Sequence, residues 1–79
     1  MSWQMDQLRA QRGRLEEDGY AFEIDGYGYK VWYRDEFIRG GSTDRHRKLH
    51  WRTAKKNREQ FLKTAVIIAQ RHKNEEQDA

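Results

Sequence analysis

Residues 20–34 read YAFEIDGYGYKVWYR, and this stretch decides the fold. Tyr20, Phe22 and Ile24 alternate with Ala21, Glu23 and Asp25, the period of two expected of a strand with one buried face. Asp25-Gly26 supplies a turn. A second alternation then sets Tyr27, Tyr29, Val31 and Tyr33 against Gly28, Lys30, Trp32 and Arg34, so the two runs predict a β-hairpin. Asp35-Glu36 reverses the chain again, Phe37-Ile38-Arg39 predicts a short third strand, and Gly40-Gly41 is expected to break it.

Upstream of the hairpin, Ser2 is placed to cap a helix in which Met5, Leu8 and Leu15 share one stripe, interrupted by Arg12. Gly19 is placed to end that helix, with Gly13 as an earlier alternative. Glu16, Glu17 and Asp18 oppose the macrodipole at such an end. Downstream, Ser42, Thr43 or Asp44 is expected to cap a second, longer helix. Its stripe is Trp51, Ala54, Arg58, Phe61, Ala65, Ile68 and His72, at spacings of three and four, widened later by Leu62, Val66 and Ala69. The first half of this helix is basic with a thin apolar seam. The second half, through AVIIA, is apolar nearly all round and is expected to be covered by the sheet and the first helix. Asn74 is its expected stop.

The predicted architecture is a two-layer α+β domain: a helix, an antiparallel β-hairpin or three-stranded sheet, and a long C-terminal helix, with both helices on one sheet face. Residues 1–74 form the domain and residues 75–79 a disordered polar tail. Seventy-nine residues hold one folded unit and no second. A domain this small buries little apolar area, and dimerisation through the aromatic-rich strands is one way to bury more.

Composition narrows the function. The chain is 37% charged and 35% hydrophobic, yet 13% aromatic, a richer aromatic content than disordered chains of that polarity carry. Its longest apolar run, residues 65–69, falls far short of the roughly 20 residues a membrane span needs. MSWQMDQLRA lacks the positive-then-apolar layout of a secretory leader, which predicts a cytoplasmic protein. Zero cysteines exclude disulfides, thiolate metal sites and a cysteine nucleophile.

The net charge of +3 conceals an asymmetry. Residues 1–38 carry five basic and eight acidic side chains, and residues 39–79 carry eleven basic and five acidic, so the halves stand at −3 and +6. The cations concentrate in residues 39–58: Arg39, Arg45, Arg47, Lys48, Arg52, Lys55, Lys56 and Arg58, opposed only by Asp44. Such clustering favours a polyanion or an acidic protein surface as partner. A solvated helix face is the plainer explanation of the same residues.

On the hairpin, Lys30, Trp32 and Arg34 are expected to share a strand face, a Trp between two cations that a nucleic-acid base or a protein could cover. Together with Arg39, Arg45, Arg47, Lys48, Arg52, Lys55 and Lys56 they form the predicted partner-binding set, the helix and its preceding loop tracking phosphates. His46 and His50, four apart, have the spacing of a metal-binding pair, but Arg47 and Lys48 between them repel a cation, and no metal or cofactor is expected. Metal-independent ribonuclease chemistry would use His46 or His50 as base, with Arg47, Arg52 or Lys55 stabilising the phosphorane, although histidines beside arginines are more often plain surface residues. Gly26-Tyr27-Gly28 falls in a hairpin turn without a following helix and is no nucleotide-binding loop.

The element order resembles that of double-stranded-RNA-binding domains and of small HicA-like toxins. The lysine-rich stretch opening the last helix of the former has an echo in Lys55-Lys56 of WRTAKK, several residues inside the predicted helix. The histidine expected in the early hairpin of HicA-like proteins is absent, Gly28-Tyr29 standing there.

The resulting expectation is a non-enzymatic accessory or regulatory protein that binds DNA or RNA through a basic helix face and adjoining loop. The rival class is a protein-binding inhibitor or adaptor, of the sort phages and mobile elements encode, acting on an acidic host protein or nucleoprotein complex. A metal-independent RNase toxin is the third class.

Overall fold

A computed structural model describes residues 2–43 and 48–78 of the chain. Helix α1 spans Ser2–Glu17, strands β1, β2 and β3 span Tyr20–Ile24, Gly28–Tyr33 and Glu36–Ser42, and helix α2 spans Trp51–Asp78. The strands form one antiparallel sheet in the order β1-β2-β3. The two-layer α+β reading of the sequence holds, and both helices contact the sheet on the side of its buried face.

The alternation that predicted the hairpin is the alternation of the sheet. Tyr20 pairs with Tyr33, Phe22 with Val31 and Ile24 with Tyr29, so all six side chains point to the helices. Ala21, Glu23, Lys30 and Trp32 occupy the other face. Leu15 of α1, Tyr20 and Val31 of the sheet, and Leu62, Ala65, Val66 and Ala69 of α2 form the buried core. Met5 and Leu8 pack against it from the predicted stripe of α1. Arg12, the interruption in that stripe, lays its guanidinium 5.5 Å from the Phe22 ring centre and 3.7 Å from Glu16.

The turns explain where the sequence reading needs correction. Asp25 Oδ1 accepts hydrogen bonds from the N–H groups of Tyr27 and Gly28 at 2.7 and 2.9 Å, which fixes the first turn as expected. The second turn is made by Arg34 and Asp35, both at positive φ (50° and 68°), not by Asp35-Glu36. Two residues in the left-handed region between antiparallel strands match the right-handed strand twist. Arg34 therefore leaves the strand face it was expected to share with Lys30 and Trp32. The third strand runs on through Gly40 and Gly41 to Ser42, because neither glycine takes the positive φ that would turn the chain. A bulge interrupts its pairing at Val31/Trp32.

Gly19 is where positive φ (110°) does matter. The chain leaves α1 there, its carbonyl accepts the N–H of Arg34, and a Cβ would press on the Tyr33 and Arg34 side chains at 3.3–3.4 Å. The acidic end of α1 is stabilised across the fold, since Asp18 pairs with Lys73 of α2.

Helix α2 begins six to eight residues later than the Ser42–Asp44 caps imply. His50 caps it: its Nδ1 accepts the N–H of Arg52 at 3.2 Å and its carbonyl accepts that of Ala54 at 2.9 Å. The helix also continues past Asn74 to Asp78, so residues 75–78 are helical where a disordered tail was expected. At about 1.5 Å per residue its 28 residues span about 42 Å. The molecule is 42 Å in its longest dimension, so α2 runs its full length while the three short strands cover only part of it. Two expectations fail: Trp51, near the start of α2, is 64% exposed, and Ile67 is 42% exposed although its neighbours Ala65, Val66 and Ala69 are buried, because a helix on one face of a two-layer domain keeps an outer side. Among the described residues no helix is long and apolar enough to cross a membrane.

Candidate nucleic-acid interface

The N-terminal half of α2 is held in place by a glycine. Gly26, in the turn between β1 and β2, lies so close to α2 that a Cβ there would sit 3.0 Å from the Ala54 Cβ and 3.2 Å from its Cα. Asn57 Nδ2 donates to the Gly26 carbonyl at 3.1 Å. A small residue on each side and one hydrogen bond thus dock the helix, and Trp51, Arg52 and Thr53, N-terminal to that contact, are exposed. Arg52, Lys55, Lys56 and Arg58 are exposed on this half, and Lys48 is exposed just before it.

Lys55 and Arg58 turn towards α1. There they line a groove of about 300 Å³ together with Arg9 and Arg12, over Met5 and Leu62, with Glu59 the one carboxylate on its wall. Arg9 lies 3.8 Å from Asp6, and Arg12 near Glu16, so the positive surplus comes from α2. Among the described residues no carboxylate approaches Lys48, Arg52, Lys55, Lys56 or Arg58 within 4 Å. Arg9, Arg12 and Arg58 stand outside the set chosen from sequence. The usable clue was Arg12, a cation at an apolar position of a helical stripe.

The cations also sit against their own helix. The first turn of α2 contains no acidic residue and its last turn no basic one, the reverse of what the macrodipole favours at both ends. Arg52 and Lys56 are four apart, a like-charge spacing that costs a few tenths of a kcal/mol on an isolated helix. Within the helix start, the contact of the Arg52 guanidinium with the Trp51 ring, 5.1 Å from its centre, offsets part of this cost.

The remaining predicted site residues are not brought together with these. Lys30 and Trp32 lie on the sheet face turned away from both helices. Lys30 stands opposite Glu23 in the β1-β2 register, and Trp32 meets Phe37 edge-on, ring centres 6.0 Å apart. Arg39 is exposed on β3 opposite Val31. A depression of about 530 Å³ on this face is bordered by Glu23, Lys30, Phe37 and Gly40. Arg34 lies at the far end of the molecule, with its guanidinium 5.1 Å from the Tyr33 ring centre and in the same recess as Lys73. Lys73 and Lys55 are 18 residues apart on α2, about 27 Å along its axis. Arg45, Arg47 and His46 fall outside the described residues.

The far end carries a constellation that the sequence did not reveal. Tyr20 is buried, and its hydroxyl lies 2.7 Å from His72 Nδ1, while His72 Nε2 is 3.8 Å from Glu76. The Tyr20 and Tyr33 rings pack on one another and both contact the His72 ring. Burial, together with Tyr33, Glu76 and Asp18 nearby, pushes the Tyr20 hydroxyl above its ordinary pKa. This is an anchoring cluster that ties the C-terminal half of α2 to β1 and β2. Among the described residues no three His, Asp or Glu side chains converge as a metal-binding group.

Comparison of the chain with protein-family models, with curated proteins and with solved structures gives no match.

Proposed function

We propose that this chain is a non-enzymatic nucleic-acid-binding accessory protein whose contact surface is the N-terminal half of α2 with the adjoining wall of α1. One observation carries the reading: Lys48, Arg52, Lys55, Lys56 and Arg58 are exposed on one short segment with no described carboxylate within 4 Å of them, and Arg52 stands in the first turn of α2, where the macrodipole disfavours a cation. Cations held close together at a cost to the free protein are stabilised when a polyanion neutralises them. Phosphates spaced along a backbone supply that, and counterion release adds to it. Lys30, Trp32 and Arg34, on another face or at another end, are not part of this surface.

The test is the salt dependence of binding to labelled single-stranded and duplex DNA and RNA. Contacts from about four of these cations predict a log-log slope of about −3 to −4. Charge reversal of Lys55 and Lys56 (Lys55→Glu, Lys56→Glu) is expected to weaken binding at least tenfold and to flatten the slope, with the circular dichroism spectrum unchanged. A wild-type protein that binds no nucleic acid at low salt overturns the reading.

A second reading, a protein-binding adaptor or inhibitor, is favoured by the open sheet face, where Phe37 is 56% exposed beside Trp32. Phe37→Ala separates the two, because on the nucleic-acid reading it leaves binding to oligonucleotides unchanged.

A further inference from the structure

We propose that Trp51 is a stacking platform for an unpaired nucleobase, so that the protein favours single strands over continuous duplex. The inference rests on the nucleic-acid reading above and adds to it the form of nucleic acid recognised.

Trp51 stands seven residues before Arg58 and fourteen before Ala65, on the line of α2 that becomes the core further along. Its position in the stripe is that of a buried residue, yet it is 64% exposed, whereas Ala65 is fully buried. The difference lies in what each residue packs on: Ala54 is pressed against Gly26 of the β1-β2 turn, and Trp51 stands nearly one helical turn N-terminal to that contact. An indole held in water on an ordered helix end is a large apolar surface available to a partner.

Its neighbours select the kind of partner. The Arg52 guanidinium lies 5.1 Å from the Trp51 ring centre, and the His50 ring centre is 5.7 Å away at 31°. Three planar groups from consecutive residues therefore cluster at the helix start, with the exposed cations Lys48 three residues before the indole and Lys55 four residues after it. A flat aromatic ligand with negative charge on either side fits this arrangement, and a base within its phosphodiester chain is such a ligand. A base inside a duplex has both faces occupied and offers only phosphates. An apolar protein segment would cover the indole but would leave the cations around it desolvated and unmatched.

Trp32 lacks this setting. It is half-buried, edge-on to Phe37 and opposite Ala21, and Lys30 on its face of the sheet stands opposite Glu23. The base-stacking role expected of Trp32 from sequence moves to Trp51.

The experiment measures affinity by fluorescence anisotropy for oligo-dT, oligo-U and a blunt DNA duplex of equal length, at one low salt concentration. Trp51→Ala is expected to weaken single-strand binding about ten- to a hundredfold and to change duplex binding far less. Trp51→Phe is expected to retain most of the single-strand affinity, and Trp32→Phe all of it, with thermal unfolding of each variant followed by circular dichroism to show an intact fold. An equal loss for single strand and duplex, or no loss for either, overturns the stacking role while the nucleic-acid reading stands. A wild-type protein that binds none of the three removes that reading itself.

Discussion

The two halves of α2 are continuous in backbone but opposite in circumstance. From Phe61 onward the helix packs against both α1 and the sheet, with Leu62, Ala65, Val66 and Ala69 buried. Before Phe61 it meets the sheet chiefly through Ala54 and Asn57 at Gly26. The C-terminal half is held by burial and by the Tyr20 and Lys73 contacts, and it holds the domain together. The N-terminal half is carried along by helix continuity, which leaves it free to concentrate charge that a packed helix would not tolerate. A short sheet under a long helix thus divides one element into an anchor and an arm.

The largest expected effect lies in the anchor. Leu62→Ala removes a buried side chain at the meeting of α1, α2 and the sheet and is expected to cost about 2–5 kcal/mol. A domain of this length is held by only about 4–12 kcal/mol, so urea denaturation should register a large drop in midpoint. A loss below about 1 kcal/mol would mean that the two halves are held alike.

A smaller effect belongs to the hydroxyl of Tyr20. Tyr20→Phe deletes its bond to His72 and is expected to cost about 0.5–1.5 kcal/mol in the same experiment. The accompanying pH dependence has a defined sign. The hydroxyl titrates above its unfolded value of 10.0 in the folded protein, so the folded state keeps the proton longer and its stabilising contribution is complete below pH 10.0. It is lost as pH rises from there through the raised folded value. Wild-type stability should therefore fall more steeply above pH 10 than that of Tyr20→Phe, and parallel curves would contradict the burial argument.

The smallest effect on stability is expected in the arm. Replacing Lys55 and Lys56 together by Gln should change unfolding free energy by no more than about 0.5 kcal/mol, since both are exposed and without a described ion-pair partner. A loss of 2 kcal/mol would show that these lysines pack rather than wait for a ligand, and the division of α2 would collapse.

Much of the fold was legible because its signals are local. The period-two runs of residues 20–25 and 27–34 follow from a sheet with one wet face, and the strands lie within them, at residues 20–24 and 28–33. The stripe of Met5, Leu8 and Leu15 identified the buried side of α1. The failures occur where a long-range contact decides. Gly40-Gly41 resembles a break, yet both remain extended because β2 pairs with them. Ser42, Thr43 and Asp44 are all adequate caps by residue type, and His50 takes the role instead. Trp51 fits the apolar stripe by spacing, which cannot report that the indole stays exposed.

The candidate site divides in the same way. Clustering of cations in residues 39–58 is a property of the sequence, but the mutual distance of Lys30, Arg34 and Lys55 is not. Arg34 was separated from Lys30 by a one-residue shift of a turn, and Lys30 from Lys55 by the thickness of the sheet. Arg9 and Arg12 joined the surface from more than forty residues away.

By itself, then, the amino-acid order determined the element types, the buried side of each amphipathic run and the polarity of charge along the chain, because these depend on neighbours a few bonds distant. Where α2 begins, which of its residues stay wet and which cations share a surface were decided only by tertiary structure. The reason is geometric: a 28-residue helix outruns strands of five to seven residues, and only their packing fixes which end is left over.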